Sequence, residues 1–326
     1  MKFLNDRALE RLRGSSAPDL SGTRYELCEL IARGGMGIVY AADDKKLNRR
    51  VALKILDSAN SAPELTQRLI REARILAQLE HPGIVPVHDI GHLSDGRVFY
   101  TMKFVEGARL DKFVAQLSSL PERLRLFLRI CDAVAFAHAR GVLHRDLKPA
   151  NVMVGPFGEV LVMDWGLAKI VQEASSSVET VLISQKERQS EEETQSTVVT
   201  GHGTVMGTPG YMSPEQARGE TEKIDARSDV FSLGALLKFV VGSLSEPRPL
   251  QAISAKAMAE NPQARYASVS DLAADVSRFL DGLPVSAYSE TTLERLGRFY
   301  RRHQVAILLI TAYLVMRFLV LYFFHR

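Results

Sequence analysis

The first clear periodicity in the chain is two-residue alternation. "YELCELIARGGMGIVYAADD" (25–44) reads as strand, glycine turn, strand, and "RVALKIL" (50–56) as a further strand with β-branched alternation. "PELTQRLIREARILAQL" (63–79) changes to helical spacing behind Pro63, a good first-turn residue. "RVFYTMKFV" (97–105) returns to a strand. Beyond it helices dominate. "ERLRLFLRICDAVAFAHARG" (122–141) places Leu124, Phe127, Leu128, Cys131, Val134 and Ala135 on one face and ends at Gly141. "NVMVGPFGEVLVMDWG" (151–166) predicts a hairpin turning at Gly155–Gly158. "DVFSLGALLKFVVG" and "SVSDLAADVSRFLDG" are amphipathic helices again. A small β-rich part followed by a larger helical part implies two lobes with a crevice between them, an α+β arrangement.

Three segments fall outside this pattern. Residues 1–24 are short and polar and read as a lead-in, "MKFLNDRALERLRG" lacking the apolar centre of a signal peptide. From Val171 to Gly203 the composition shifts to Ser, Thr, Glu and Gln, and a long loop is expected. Residues 305–324, "VAILLITAYLVMRFLVLYFF", form an apolar run broken by Arg317. At about 1.5 Å per residue a helix of this length spans a bilayer core. A central arginine costs roughly 2.5–3.5 kcal/mol on insertion scales, which the surrounding Leu, Ile, Val and Phe offset. Arg295, Arg298, Arg301 and Arg302 precede the run and favour the cytoplasmic side. The expectation is a single-pass membrane helix behind a basic linker at 283–304, the alternative being a helix buried in a partner or lying in the membrane surface.

Composition adds little. The chain of 326 residues is 46% hydrophobic and 24% charged, enough for one large or two ordinary domains and unlike a disordered chain. A net charge of +3 makes no argument for nucleic acid. Cys28 and Cys131 are too few for a disulfide framework and fit a reducing compartment.

The chemistry lies in ordered short motifs. "ARGGMGIVY" (32–40) sets glycines between two strands, where Gly34 and Gly37 let the backbone approach a phosphate and Val39 can pack on a base; alone this signal is weak. "VALK" places Lys54 inward, and Glu72 on the following helix can pair with it to grip phosphates. "HRDLKPAN" (144–151) is the strongest segment. The Asp146 carboxylate can receive a proton from an attacking hydroxyl, Lys148 can neutralise a transferring phosphoryl group, and the Asn151 amide oxygen can ligate Mg²⁺. The hairpin returns Asp164 beside Asn151, a hard oxygen pair suited to Mg²⁺ with phosphate oxygens. His144 and His138 are read as packed histidines, His144 holding the loop.

These motifs together resemble a eukaryotic-type protein kinase, and "GGMGIVY", "EHPGIV" and "GTPGYMSPEQARG" resemble the bacterial serine/threonine kinases. The resemblance covers roughly residues 25–282, with a small lobe over 25–105, a large lobe over 106–282 and a long activation loop over 164–215. It implies ATP with Mg²⁺, or Mn²⁺, as cofactors and a protein Ser/Thr hydroxyl as acceptor. It implies that Gly34 and Gly37 cover the phosphates, with Ala32 at the turn. Lys54 contacts the α- and β-phosphates and pairs with Glu72, while Ala52, Val39, Met102, Val105 and Met153 line the nucleotide pocket. Met102 guards the adenine site and Lys103–Val105 form the hinge. Asp146 is the catalytic base, Lys148 and Thr208 assist, and Asn151 and Asp164 hold metal. Glu215 is expected to pair with Arg265, and Asp229 to brace the catalytic loop.

The sequence departs from the family in three places. Trp165 replaces a phenylalanine whose ring only packs, so it does not argue against activity. Ala32 replaces the first glycine of the phosphate loop. After "DVFSLGALLKFVVG" a pocket-lined segment and a further helix are missing, which is expected to expose apolar surface on the helical lobe for a partner, a second copy in a homodimer, or the membrane. The leading expectation is a membrane-anchored serine/threonine kinase facing the cytoplasm that autophosphorylates its activation loop at hydroxyls such as Thr197, Thr200 and Thr204. The alternative is a nucleotide-binding scaffold that docks a partner through the shortened lobe.

Overall fold

The computed structural model describes residues 18–34, 37–56, 63–165, 169–170, 210–242 and 247–324. Thr208, Thr197, Thr200, Thr204, Gly166 and nearly all of the loop expected over 164–215 lie outside these residues.

The small lobe is a five-stranded antiparallel sheet in the order β1-β2-β3-β5-β4. Its strands are β1 (Tyr25–Gly34), β2 (Gly37–Asp44), β3 (Arg49–Ile55), β4 (Val87–His92) and β5 (Val98–Lys103). Strand alternation divides β3 cleanly. Val51, Leu53 and Ile55 enter one core with Leu20, Tyr25, Ile38 and Phe99. Ala52 faces the other core, where Tyr100 and Met102 of β5 also lie. That second face carries helix α1 (Pro63–Gln78), which buries Leu69, Ala73, Ile75 and Leu76. Leu20 is a correction to the lead-in: it is buried against the sheet, and Asp19 beside it accepts hydrogen bonds from Ser21 and Ser94.

The larger lobe opens with β6 (Ala108–Arg109), which pairs with a later strand of the lobe, and α2 (Leu110–Phe113), and is built around α3 (Leu120–Ala139). The helix buries Leu124, Phe127, Ile130, Cys131 and Val134, and the chain leaves it through Gly141 at φ 75°, a left-handed turn suited to glycine. Short strands β8 (Val152–Val154) and β9 (Val160–Val162) form the expected hairpin, and β7 (Val142–Leu143) before it pairs with β10 (Lys169–Ile170). Then come α4 (Pro214–Ala217), α5 (Ala226–Val241), α6 (Arg248–Ala257), α7 (Val269–Leu280) and α8 (Thr292–Phe324). One continuous core runs from α1 and the sheet through α3 to α7.

The shortened lobe is sealed better than its sequence suggests. Helix α6 follows α5 closely and buries Leu250, Ile253 and Ala257. The buried Arg123 donates to the carbonyls of Val240 and Val241 at 3.0 and 3.1 Å, closing the C-terminus of α5. Among the described residues of the helical lobe before α8, only Phe157 and Leu283 are large apolar side chains left exposed. The expected apolar face is therefore not found there.

The linker expected over 283–304 also holds a fixed path at its start. Val285 is buried in the core, and Ala287 and Tyr288 pack against it. The buried Asp275 of α7 accepts hydrogen bonds from Ser286 N, Ser286 Oγ and Ala287 N. Helix α8 then runs on, with one non-helical residue inside it, His303.

Candidate active site

The crevice between the lobes collects the motif residues. On β3, Lys54 Nζ lies 2.8 and 3.1 Å from the two oxygens of Glu72 on α1, and 3.3 Å from Asp164 Oδ1. Lys54 and Glu72 are buried. Burial pulls the Lys54 ammonium down, but the charges of Glu72 and Asp164 outweigh it and hold its pKa above the usual lysine value. The pattern missed Tyr100. It faces Lys54 across the β3–β5 ladder and donates 2.8 Å to Glu72 Oε1. Its phenol is pushed well above its ordinary pKa by burial and by Glu72, so it remains a donor. The signal was available, because cross-strand neighbours of an inward lysine share its face.

The phosphate-loop positions close the sheet edge. Gly34 pairs with Gly37 and Ala32 with Val39 at the tip of the β1–β2 ladder. Gly37 has φ 129°, and a Cβ there would stand 2.3 Å from the Ile55 carbonyl oxygen, so only glycine fits. Ala52 and Met102 are paired across β3 and β5 and both are buried, with Val39 and Val105 packed on the same core. Met153 is half-buried on β8, opposite Leu161.

The catalytic loop holds its shape through one buried carboxylate. Asp229 at the start of α5 accepts from His144 N and Arg145 N, each at 2.8 Å, and lies 2.7 Å from His138 Nε2. Arg145 sits at φ 69°, a left-handed conformation that an arginine adopts only under constraint. The two backbone hydrogen bonds supply that constraint. Burial raises the Asp229 carboxyl, but hydrogen bonding and charge from His138 and His144 and the backbone bond from Arg145 more than reverse it, and the group is held below its usual range. His138 is thus more than a packed histidine; it is a polar partner of the brace.

On the loop itself, Lys148 Nζ donates to Asp146 Oδ2 at 2.7 Å. Asn151 Nδ2 donates to the Asp146 carbonyl at 2.8 Å and to Asp146 Oδ2 at 3.1 Å, which leaves Oδ1 as the amide atom able to ligate a cation. Met163 N donates to Asn151 O, and His144 Nε2 meets Met163 O at 3.0 Å, so the end of the hairpin is fixed to the loop. Asp164 follows at φ 59°, with its carboxylate on the Lys54 side. Trp165 is fully buried, packs on the His144 ring at 4.6 Å between centroids, and donates from Nε1 to the Val162 carbonyl. The larger ring fills a core position and leaves the neighbouring carboxylate in the crevice.

Below the crevice, Arg265 forks onto Glu215 at 2.7 and 2.8 Å, and Ser228 donates to the same carboxylate. Burial raises Glu215, yet these hydrogen bonds carry its pKa down to about 2. Gln216 completes a capping box with Ser213 and donates to the Arg145 carbonyl at 2.8 Å, tying this platform to the catalytic loop. The "SPEQ" spacing signalled the cap but not its reach.

Asp164 and Asn151 offer a carboxylate and an amide oxygen, hard donors that fit a small divalent cation. Among the described residues no cluster of three or more His, Cys, Asp or Glu could hold a resident metal. The donor set suits a cation whose remaining ligands come from phosphate and water.

Known proteins carry the same architecture. The serine/threonine-protein kinase PknD of Protochlamydia amoebophila is 34% identical over 303 residues, covering 79% of this chain and 30% of that protein. The PknD of Chlamydia trachomatis serovar D is 36% identical over 314 residues, covering 80% of this chain and 32% of that one. The chain therefore spans about a third of the length of these curated relatives. The crystal structure of the Mycobacterium tuberculosis PknI kinase domain superposes with a TM-score of 0.55, at 24% identity over 78% of this chain and 95% of that one, a likeness of fold. The protein kinase domain family model matches residues 25–283, and the chain belongs to the protein kinase family.

Proposed function

We propose that this chain is a membrane-anchored serine/threonine kinase that transfers the γ-phosphoryl group of ATP to protein hydroxyls. The observation that carries the reading is a pair of side-chain sets, Lys54–Glu72–Asp164 and Lys148–Asp146–Asn151, each held by contacts of 2.7–3.3 Å and tied together by the backbone hydrogen bond from Met163 to Asn151. Lys54, fixed by Glu72 and Tyr100, holds the phosphates in place. Asp146 accepts the proton of the attacking hydroxyl while Lys148 beside it balances charge on the transferring group. Asn151 and Asp164 would hold Mg²⁺, or Mn²⁺, which when bound neutralises charge on the phosphate oxygens. Thr208 is assigned to substrate support on the family resemblance alone.

Autophosphorylation of the activation loop belongs to the same reading. Nε and Nη2 of Arg145 are buried without a hydrogen-bond partner among the described residues, next to Asp146. A phosphate on Thr197, Thr200 or Thr204 would satisfy them. Anchoring rests on His303–Tyr322, a helix long and apolar enough to cross a membrane. The scaffold alternative loses its main support, because the apolar docking face it requires is not found on the described part of the shortened lobe.

The deciding experiment incubates the full chain with labelled ATP, Mg²⁺ and a generic basic protein beside the Asp146→Asn variant. Label transfer that disappears in the variant supports the kinase. A folded chain that binds ATP and transfers nothing overturns it. Phosphopeptide mapping that finds an unmodified loop in active protein overturns the autophosphorylation.

A further inference from the structure

We propose that residues 292–302, ahead of the apolar run, form an interfacial helix whose arginine face binds an anionic lipid surface. The inference deepens the membrane reading and rests on it for the position of the bilayer.

Helix α8 is two helices joined at His303, whose φ of −113° and ψ of 16° depart from helical geometry. The second carries the candidate span. The first has its own two-sided pattern. At about 100° per residue, Leu293, Leu296, Phe299 and Tyr300 fall within one arc of roughly 120°. Arg295, Arg298, Arg301 and Arg302 fall within an arc of similar width on the other side. This is the composition of a helix that lies in a membrane surface, with aromatic and leucine residues on one face and arginines on the polar face. Leu296 and Tyr300 are 65% and 58% exposed, so among the described side chains of this arc the fold covers neither of these two.

Glu294 is the acidic residue within the arginine arc, and it is committed to the fold. It accepts from Thr291 N and Oγ1 and from Tyr288 OH, so it caps the helix start. Four arginines against this one carboxylate leave the arc with a net positive charge. The start of the helix is also held in place, because the segment just before it is pinned by Asp275 through Ser286 and Ala287. A lipid headgroup layer carrying negative charge meets both arcs at once, accepting the apolar side at the acyl boundary and the guanidinium groups at the phosphates. A zwitterionic layer offers the first without the second.

The test uses the full chain in vesicles. Cys28 is exposed and is replaced by serine, Cys131 is buried and remains, and Leu296→Cys carries an environment-sensitive fluorophore. Emission and iodide quenching are compared in phosphatidylcholine and in an equal mixture with phosphatidylglycerol, at low and high salt. The expected result is a blue shift and reduced quenching in the mixed vesicles, reversed by salt. Each Arg→Gln should weaken docking roughly five-fold. The variant with all four arginines changed to Gln should lose the shift, and the corresponding Lys variant should keep it. Identical emission in both lipids, or a shift that survives the Gln variant, overturns the inference. Failure of the spanning helix shows separately, as release of the chain from phosphatidylcholine vesicles in high salt. A blue shift on the mixed vesicles in that case still upholds the interfacial helix.

Discussion

Glu215→Gln tests how much of the large lobe hangs on one buried ion pair. The Glu215 and Arg265 side chains are 1% and 0% exposed, so solvent does not screen them. Removing one partner from such a pair costs roughly 3–5 kcal/mol, because the other charge stays buried. The carboxylate gives an independent figure. Its pKa falls from 4.5 to about 2, which at about 1.4 kcal/mol per pH unit corresponds to roughly 3 kcal/mol. A depressed carboxyl contributes its full stability above 4.5 and loses it as pH falls through about 2. At pH 3 about 1.4 kcal/mol should remain. The lower end of the range is favoured, since Arg265 keeps the carbonyls of Ala259, Glu260 and Arg227 as acceptors. For a domain of this size the melting temperature should drop by roughly 10 °C at pH 7. The assay is thermal unfolding of the full chain in detergent, wild type against variant, from pH 7 to pH 3. The gap should shrink by more than half over that range. Equal melting temperatures at pH 7, or a gap that does not change with pH, would refute the reasoning.

Three further outcomes are expected. Lys54→Met should weaken nucleotide binding by roughly 10- to 100-fold, the loss of a charge-assisted contact worth about 1.5–3 kcal/mol, as read by ATP titration. Trp165→Phe should lower stability by about 1–3 kcal/mol through the lost volume and the lost Val162 hydrogen bond, while phosphoryl transfer per folded molecule stays within a few fold. Asp229→Asn replaces one acceptor oxygen by a donor facing the loop N–H groups. Its transfer rate should fall at least about ten-fold with ATP affinity nearly unchanged, checked by separating kcat from KM.

The crevice was legible because its chemistry is carried by residue types at short, fixed spacing. "HRDLKPAN" names a base, a cation and an amide within one loop, and "VALK" with Glu72 needs only a strand and the next helix. What stayed hidden depends on contacts between distant segments. Tyr100 reads as one more β-strand aromatic until the β3–β5 register sets it facing Lys54. His138 looks like a histidine on an apolar helix until α5 brings Asp229 to it. Leu20 sits in a polar stretch, and only the sheet reveals a pocket for it. The missing segment after α5 suggested an open face, but how α6 and Arg123 fill it is a matter of packing that no local pattern states.

The Asp229 brace has a consequence for how the protein comes into being. The loop it holds lies 84 and 85 residues earlier in the chain, and both of its backbone hydrogen bonds wait for α5. During synthesis the β-sheet and the Lys54–Glu72 pair can form from residues already emerged, but the left-handed turn at Arg145 cannot be held until residue 229 is out and docked. A nascent chain would therefore gain its nucleotide-gripping half before its proton-accepting half. Competence for transfer would arrive late, with most of the domain already made.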